Sequence, residues 1–253
     1  MIRLKSDKDI NILRAGGKRL AVILAELETK VKSGVTTGEL DDYAQELIAT
    51  GGDRAAFLNY RPRGSRLAYP AALCVSVNEE IVHGLPGKRR IADGDIVSLD
   101  LGLVHDNLVT DSAVSVIAGC ADPETEKLLG CTKEALALGI AAARAEGTTG
   151  DIGAAVEKYV LAQGFGVVRD LSGHGVGFNV HEDPEVPNYG RPGEGEQLAP
   201  GLVIAIEPMV VAGTEETRLL ADGFTFVTAD GARAAHFEHT IVVTDSGPEI
   251  LTQ

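Results

Sequence analysis

The chain has 253 residues, 44% of them apolar, a formal net charge of -14 and three cysteines. That apolar share supports a sizeable core and sets intrinsic disorder aside, while the surplus of acid opposes phosphate backbones, so DNA is not an expected partner. Cys74, Cys120 and Cys131 form no CxxC pair and read as reduced thiols. No run of about 18 uncharged apolar residues occurs, and the opening MIRLKSDKDI has no apolar signal core behind its basic residues. A cytoplasmic protein with no membrane partner is expected.

In chain order, Ser6 with Asp9 resembles a capping box, and Leu13, Gly17, Leu20, Leu24, Leu27 and Val31 recur at steps of three and four. A long amphipathic helix follows. Thr36 with Glu39 opens a second helix that Gly51-Gly52 ends. Strand-like runs cover residues 73 to 78, 94 to 104 and 108 to 117. Asp122-Pro123 then starts another helix, Asp151 to Gln163 gives one more, and strand-like runs return near 166 to 180, 202 to 212 and 234 to 243. Gly34-Val35-Thr36-Thr37-Gly38-Glu39-Leu40 is echoed by Gly147-Thr148-Thr149-Gly150-Asp151-Ile152 at the same point of this order, a trace of duplication. The polar stretches Asn59 to Ala68 and Glu182 to Gln197 lie between motif-bearing segments, so one domain of two halves, roughly 1 to 120 and 121 to 253, is expected.

Four acids interrupt apolar strands. Asp100 sits in Ile96-Val97-Ser98-Leu99-Asp100-Leu101-Gly102-Leu103-Val104, Asp111 lies in the next strand, Glu207 ends Gly201 to Ile206, and Glu238 precedes His239-Thr240-Ile241-Val242-Val243. A lone buried carboxylate is expensive. His105-Asp106-Asn107 supplies turn chemistry for a hairpin. Centred on His105 and Asp106, the turn opposes Asp100 and Asp111 at roughly 5 Å, too close for two anions without a cation between them. If Asn107 adds a bulge, the register shifts by one and the carboxylates are offset along the face. His174 is flanked by glycines in Gly173-His174-Gly175-Val176-Gly177, where backbone can approach a ligand closely. Four carboxylates and one imidazole balance two divalent cations, and this oxygen-rich set suits Mn, Fe, Co or Zn in a catalytic role.

Glu80-Ile81-Val82-His83-Gly84-Leu85-Pro86, the pair Asp100 and Asp111, Ser172 to Gly177, Val180-His181-Glu182-Asp183-Pro184, Ile206-Glu207-Pro208-Met209 and Phe237-Glu238-His239-Thr240 occur in one order over residues 80 to 240. Together they resemble the type I methionine aminopeptidases. The resemblance implies a pita-bread α/β fold, two pseudo-symmetric halves about a central antiparallel sheet flanked by helices. It implies that Asp100 chelates one metal, Asp111 and Glu238 bridge both, and His174 with Glu207 completes the ligand set of the other metal, with a bridging hydroxide as nucleophile. Glu207 is the implied proton shuttle. His181 and His83 line the substrate side, near the scissile carbonyl and the peptide nitrogen. Tyr69, Cys74 and Phe224 are implied pocket walls, Phe224 standing where many relatives have Trp. The implied reaction removes the initiator methionine from nascent polypeptides before a small second residue, in a monomer.

Read singly, Asp100 or Asp111 suits a turn or salt bridge, and His174 a satisfied core histidine. The four acids together reverse that reading. His105 and His236 match no role and are read as structural, His239 as supporting the site, and Cys120 and Cys131 as packing. Arg61, Arg63 and Arg66 read as a solvated loop, with transient contact to ribosomal RNA as the alternative. A proline-directed peptidase on the same scaffold would use the same ligands, but such relatives carry an added amino-terminal domain, for which a helix beginning near residue 7 leaves no room. A metal-free binding module is disfavoured by the complete ligand set.

Overall fold

The computed structural model describes residues 1–61 and 67–253, so Arg63 and Arg66 of the basic stretch lie outside the described residues. The chain opens with α1 (Asp7–Glu28) and α2 (Thr37–Gly51), then runs through β1 (Arg54–Ala55), β2 (Leu73–Val77), β3 (Glu80–Val82), β4 (Ile96–His105) and β5 (Leu108–Ile117). A second helix pair, α3 (Pro123–Ala142) and α4 (Thr149–Ala162), is followed by β6 (Gly166–Val167), β7 (Ser172–Gly175), β8 (Glu182–Pro187), β9 (Val203–Ile206) and β10 (Met209–Val211). The last strands are β11 (Thr217–Leu219), β12 (Phe226–Thr228), β13 (Ala234–His236), β14 (Glu238–Thr244) and β15 (Gly247–Ile250).

The caps explain the helix starts. Ser6, Thr36 and Thr148 each accept the N–H three residues on and receive the reciprocal carboxylate of Asp9, Glu39 or Asp151, satisfying donors that the first turn leaves free. α4 therefore begins two residues before the expected Asp151, which is its third residue rather than its first. α2 ends where Gly52 turns left-handed at φ 76°. The Thr-Thr-Gly echo extends to partners: Gly38 N–H donates to the Gly87 carbonyl at 2.9 Å and Gly150 N–H to the Glu194 carbonyl at 3.0 Å. Thr36 bridges Arg90, and Thr148 bridges Gln197, in matching isolated antiparallel pairs.

The main sheet runs in the order β1-β4-β5-β14-β9-β7-β8, with β2 added to β4 and β15 to β14, and every pairing is antiparallel. Strand side chains alternate between faces. On one face Leu99, Leu101 and Leu103 of β4 pack on Leu20, Leu24 and Leu27 of α1 and Ile48 of α2. On the same side of the sheet Ile204, Ile206, Ile241 and Val243 pack on Leu136 and Ile140 of α3 and Ile152 of α4. The helices thus cover one surface and leave Asp100, Asp111 and Glu238 on the other.

The β4–β5 hairpin takes neither register read from the sequence. Asp106 and Asn107 both have positive φ, 45° and 67°, so the turn is a two-residue primed turn closed by His105 opposite Leu108. Asp100 faces Ala113, and Asp111 faces Gly102, an offset of two residues. That offset keeps both carboxylates on one face while placing their Cβ atoms on a diagonal of about 7–8 Å.

Three runs expected as single strands are each broken in two, as β6/β7, β9/β10 and β13/β14. Pro208 explains one break, since it lacks an N–H and restrains the residue before it; Glu207 sits in that gap. After it β10 joins a separate sheet with β13 and β6. The polar stretch Glu182 to Gln197 contains β8, and β11 and β12 pair with β3 in a small sheet that no periodicity signalled. Replacing Asn107 with Val is expected to cost about 1–2 kcal/mol, because a β-branched residue resists the left-handed conformation, whereas Asn107→Gly leaves stability nearly unchanged; urea unfolding of both variants measures the difference.

Candidate metal centre and active site

A cavity of about 570 Å³ opens on the face that the helices leave bare. All the residues singled out from sequence line it: Asp100, Asp111, His174, Glu207 and Glu238, with His83 and His181, and Tyr69, Cys74 and Phe224. Sequence positions 69 to 238 thus converge on one chamber.

Strand register places the acids. Asp100 of β4 and Glu238 of β14 both pair with Ala113 of β5, so they flank one small residue in a row across three strands. Asp111 lies two residues along β5 on the same face. Its backbone is tied to β14 by Thr240, whose hydroxyl accepts the Asp111 N–H at 2.9 Å and donates to the Asp111 carbonyl at 2.7 Å. Ser112 similarly donates to the Glu238 carbonyl at 2.7 Å. His174 pairs with Ala205 of β9, which also faces Thr240. The flanking glycines are required by close approach: a Cβ at Gly173 would lie 2.4 Å from the Ala205 carbonyl oxygen, and one at Gly175 2.2 Å from that of Asp183.

Asp100, Asp111 and Glu238 are buried to 8%, 3% and 2% exposure, too deep for water to neutralise them. Asp100 Oδ1, Asp111 Oδ1 and Glu238 Oε1 meet no hydrogen-bond donor among the described residues. Burial, and then the neighbouring acids, hold Asp100, Glu207 and Glu238 well above the usual carboxylate range, and burial pushes Asp111 up to about 7. His174 is driven the other way, to about 3, by burial and by His181. Neutral imidazole and clustered carboxylates are a donor set for a hard or borderline divalent cation. One ligand atom from each of Asp111, His174 and Glu238 lies within 4.8 Å of the others. The residues therefore fit a metal, which would satisfy the orphaned oxygens and remove the repulsion together.

Glu207 stands beside this group, its Oε1 3.4 Å from His174 Nε2 and its Oε2 3.6 Å from His236 Nε2. His236, read as structural from sequence, is thus in contact with the site. His239 turns elsewhere, to Thr252 Oγ1 at 2.9 Å, and His105 pairs with Asp53 at 2.8 Å. The His181 ring meets His174 edge-on at 4.3 Å between centroids. Burial lowers the pKa of His181 and takes that of His83 to about 4, so both imidazoles are neutral donors near pH 7. His83 has φ 59°, a strained backbone for a non-glycine residue in a site.

Sequence reasoning missed Tyr60, whose hydroxyl is 2.8 Å from His181 Nδ1, and also Phe57, Val82, Leu171 and Met209 in the cavity wall. No local pattern marks Tyr60, because its partner is 121 positions away. Tyr69 and Phe224 meet edge to face at 5.4 Å, and the Tyr69 hydroxyl donates to the Gly84 carbonyl at 2.9 Å. Burial, followed by Asp100, raises the Cys74 thiol, which remains protonated beside them.

A family model described as metallopeptidase family M24 matches residues 11–245. The chain is 45% identical over 252 residues to the methionine aminopeptidase of Clostridium perfringens, covering 100% of this chain and 99% of that protein. It is 42% identical over 253 residues to methionine aminopeptidase 1 of Bacillus subtilis, covering 100% of both. The crystal structure of the methionine aminopeptidase from Thermotoga maritima superposes with a TM-score of 0.95 at 42% identity, covering 100% of both chains.

The buried acids set a pH signature. Above about pH 6.5 an unfolded chain has already released its carboxyl and imidazole protons, while in the folded, metal-free chain Asp111 gives up its proton only near 7, and burial shifts Asp100, Glu207 and Glu238 in the same direction. The folded state then binds more protons, so stability falls as pH rises through this window. Below about 6.5 the buried, neutral histidines act in the opposite sense, because His83, near 4, and His174, near 3, bind protons less readily folded than unfolded. Urea unfolding in chelator is expected to show the decline as pH is raised through about 7, and saturating Mn(II) to abolish it.

Proposed function

The chain belongs to metallopeptidase family M24, and from that membership we propose that it removes the N-terminal methionine from nascent proteins and peptides, with a small second residue preferred. Its curled antiparallel sheet, covered on one side by two helix pairs, is the pita-bread fold. The observation that carries the activity is the meeting of three buried acids, Glu207 and one imidazole in a single cavity, with three of the carboxylate oxygens lacking any donor among the described residues.

Asp100, Asp111, His174, Glu207 and Glu238 would hold two divalent ions, of Mn, Fe, Co or Zn. When bound, such ions supply Lewis acidity that acidifies water and polarises the scissile carbonyl, worth several kcal/mol in the transition state. Glu207 receives the proton of the attacking water and passes it to the leaving amine. The Tyr60 hydroxyl lies 2.8 Å from His181 Nδ1; in this reading it donates there, so that the His181 Nε2–H donates to the carbonyl oxygen as charge builds on it. In this reading His83, which lines the same cavity, donates at the peptide nitrogen. Tyr69, Cys74 and Phe224 form a soft wall on which an unbranched thioether packs well.

The reading extends to a single catalytic domain of two halves, acting as a monomer in the cytoplasm and meeting the ribosome transiently. No helix among the described residues is long and apolar enough to cross a membrane, in keeping with that setting.

Hydrolysis of Met-Ala-Ser, with and without chelator and with single metals added back, tests the reading; activity retained after full demetallation, or cleavage of Xaa-Pro peptides alone, overturns it. Glu207→Gln is expected to lower kcat by about 10²–10⁴-fold with little change in the urea midpoint. Asp111→Asn is expected to lower bound metal as well as rate, read by elemental analysis after dialysis. Met-Lys-Ser is expected to be cleaved far more slowly than Met-Ala-Ser.

A further inference from the structure

His236 is not used by the mechanism above, yet it is 1% exposed and both ring nitrogens are without a hydrogen-bond partner among the described residues. A buried imidazole left so is costly, and its retention calls for a use. Its backbone is fixed: Ser115 Oγ accepts the His236 N–H at 2.9 Å and donates to the His236 carbonyl at 2.7 Å, and Ser115 Oγ is itself 2.7 Å from Ser98 Oγ. In β13 His236 stands opposite Met209, the second residue after Glu207. The backbone is therefore held from β5, and the ring reaches the Glu207 carboxylate at the break between β9 and β10.

The ring lies beside the Glu207 carboxylate. His174 Nε2 lies 3.4 Å from Oε1, and His236 Nε2 lies 3.6 Å from Oε2. One carboxylate is thus bracketed by two imidazoles, each facing a different oxygen. A ligating carboxylate needs an outer hydrogen bond to fix its plane. Asn188 holds only the Glu207 carbonyl, at 2.9 Å, which leaves the side chain to be oriented by these rings.

We propose that His236 is a positioning residue for Glu207, its Nε2–H donating to Oε2 so that Oε1 is presented beside His174 to metal and water. This inference rests on the metal-dependent reading of the site. The role asks for an N–H donor at that depth, not for a change in protonation, and a glutamine can supply one.

The test uses the full chain, demetallated and titrated with Co(II) by calorimetry, together with the visible spectrum of the Co(II) form and the kinetics of Met-Ala-Ser cleavage. His236→Leu is expected to weaken Co(II) binding by about 10–100-fold, to alter the Co(II) bands, and to lower kcat more than it raises KM. His236→Gln is expected to recover most of the affinity and the spectrum. Should the Leu variant not fold in chelator, His236→Met replaces it as the donor-free form. Co(II) affinity, spectrum and kcat unchanged in the donor-free variant overturn the proposal, as does a Gln variant no better than Leu. Loss of a full equivalent of Co(II) at saturation also overturns it, since His236 would then be a ligand itself. Wild-type chain that binds no Co(II) sinks the functional reading and this inference with it, whereas wild type that binds and cleaves normally beside an unaffected donor-free variant sinks this inference alone.

Discussion

Like-charge repulsion in a dry place organises this molecule. Asp100, Asp111, Glu207 and Glu238 are gathered in one cavity on the side of the sheet away from the helices; burial raises the pKa of all four, joined by repulsion from neighbouring acids at Asp100, Glu207 and Glu238. Such a group is tolerable when cations share it, and the surrounding structure is arranged to hold it together until they do. Core packing alone would not demand any of these residues.

The restraint is applied to backbone rather than to carboxylates. β14 and β5 share only a short ladder, Glu238 with Ala113 and His239 with Ser112. Hydroxyl bridges extend it at both ends, through Thr240 to Asp111 and through Ser115 to His236, and Ser112 binds the Glu238 carbonyl. The carboxylate oxygens of Asp111 and Glu238 are thereby aimed without being consumed. On the far side, β7 comes close enough to β9 to bring His174 in because glycines flank that histidine. The apolar residues alternating with the acids, such as Leu99, Leu101 and Ile241, anchor the same strands against the helices, so core and site are two faces of one element.

Much of this was legible in the residues. The caps at Ser6, Thr36 and Asp122 and the apolar steps of α1 are local chemistry, and each landed as read. The acids in apolar strands stood out for the same local reason. What escaped was long-range. The hairpin offset of two turned on the dihedral angles of Asp106 and Asn107, which the dipeptide permits but does not dictate. The strand breaks at 207 to 208 and 237 reflect a second sheet competing for β10 and β13. Tyr60 and His236 acquire meaning only through partners brought to them by the fold. β11 and β12, with Thr217 and Leu219 exposed or half-exposed, carry too little apolar contrast to announce themselves.

The order of the ligating candidates along the chain has a further effect. Asp100 and Asp111 precede α3, while His174, Glu207 and Glu238 follow α4. A chain made only as far as α4 therefore owns just the Asp100 and Asp111 pair, a weak and unselective chelator. The full donor set assembles only when the late strand β14 pairs with β5 and β9 pairs with β14, so a complete site and a completed sheet arrive together.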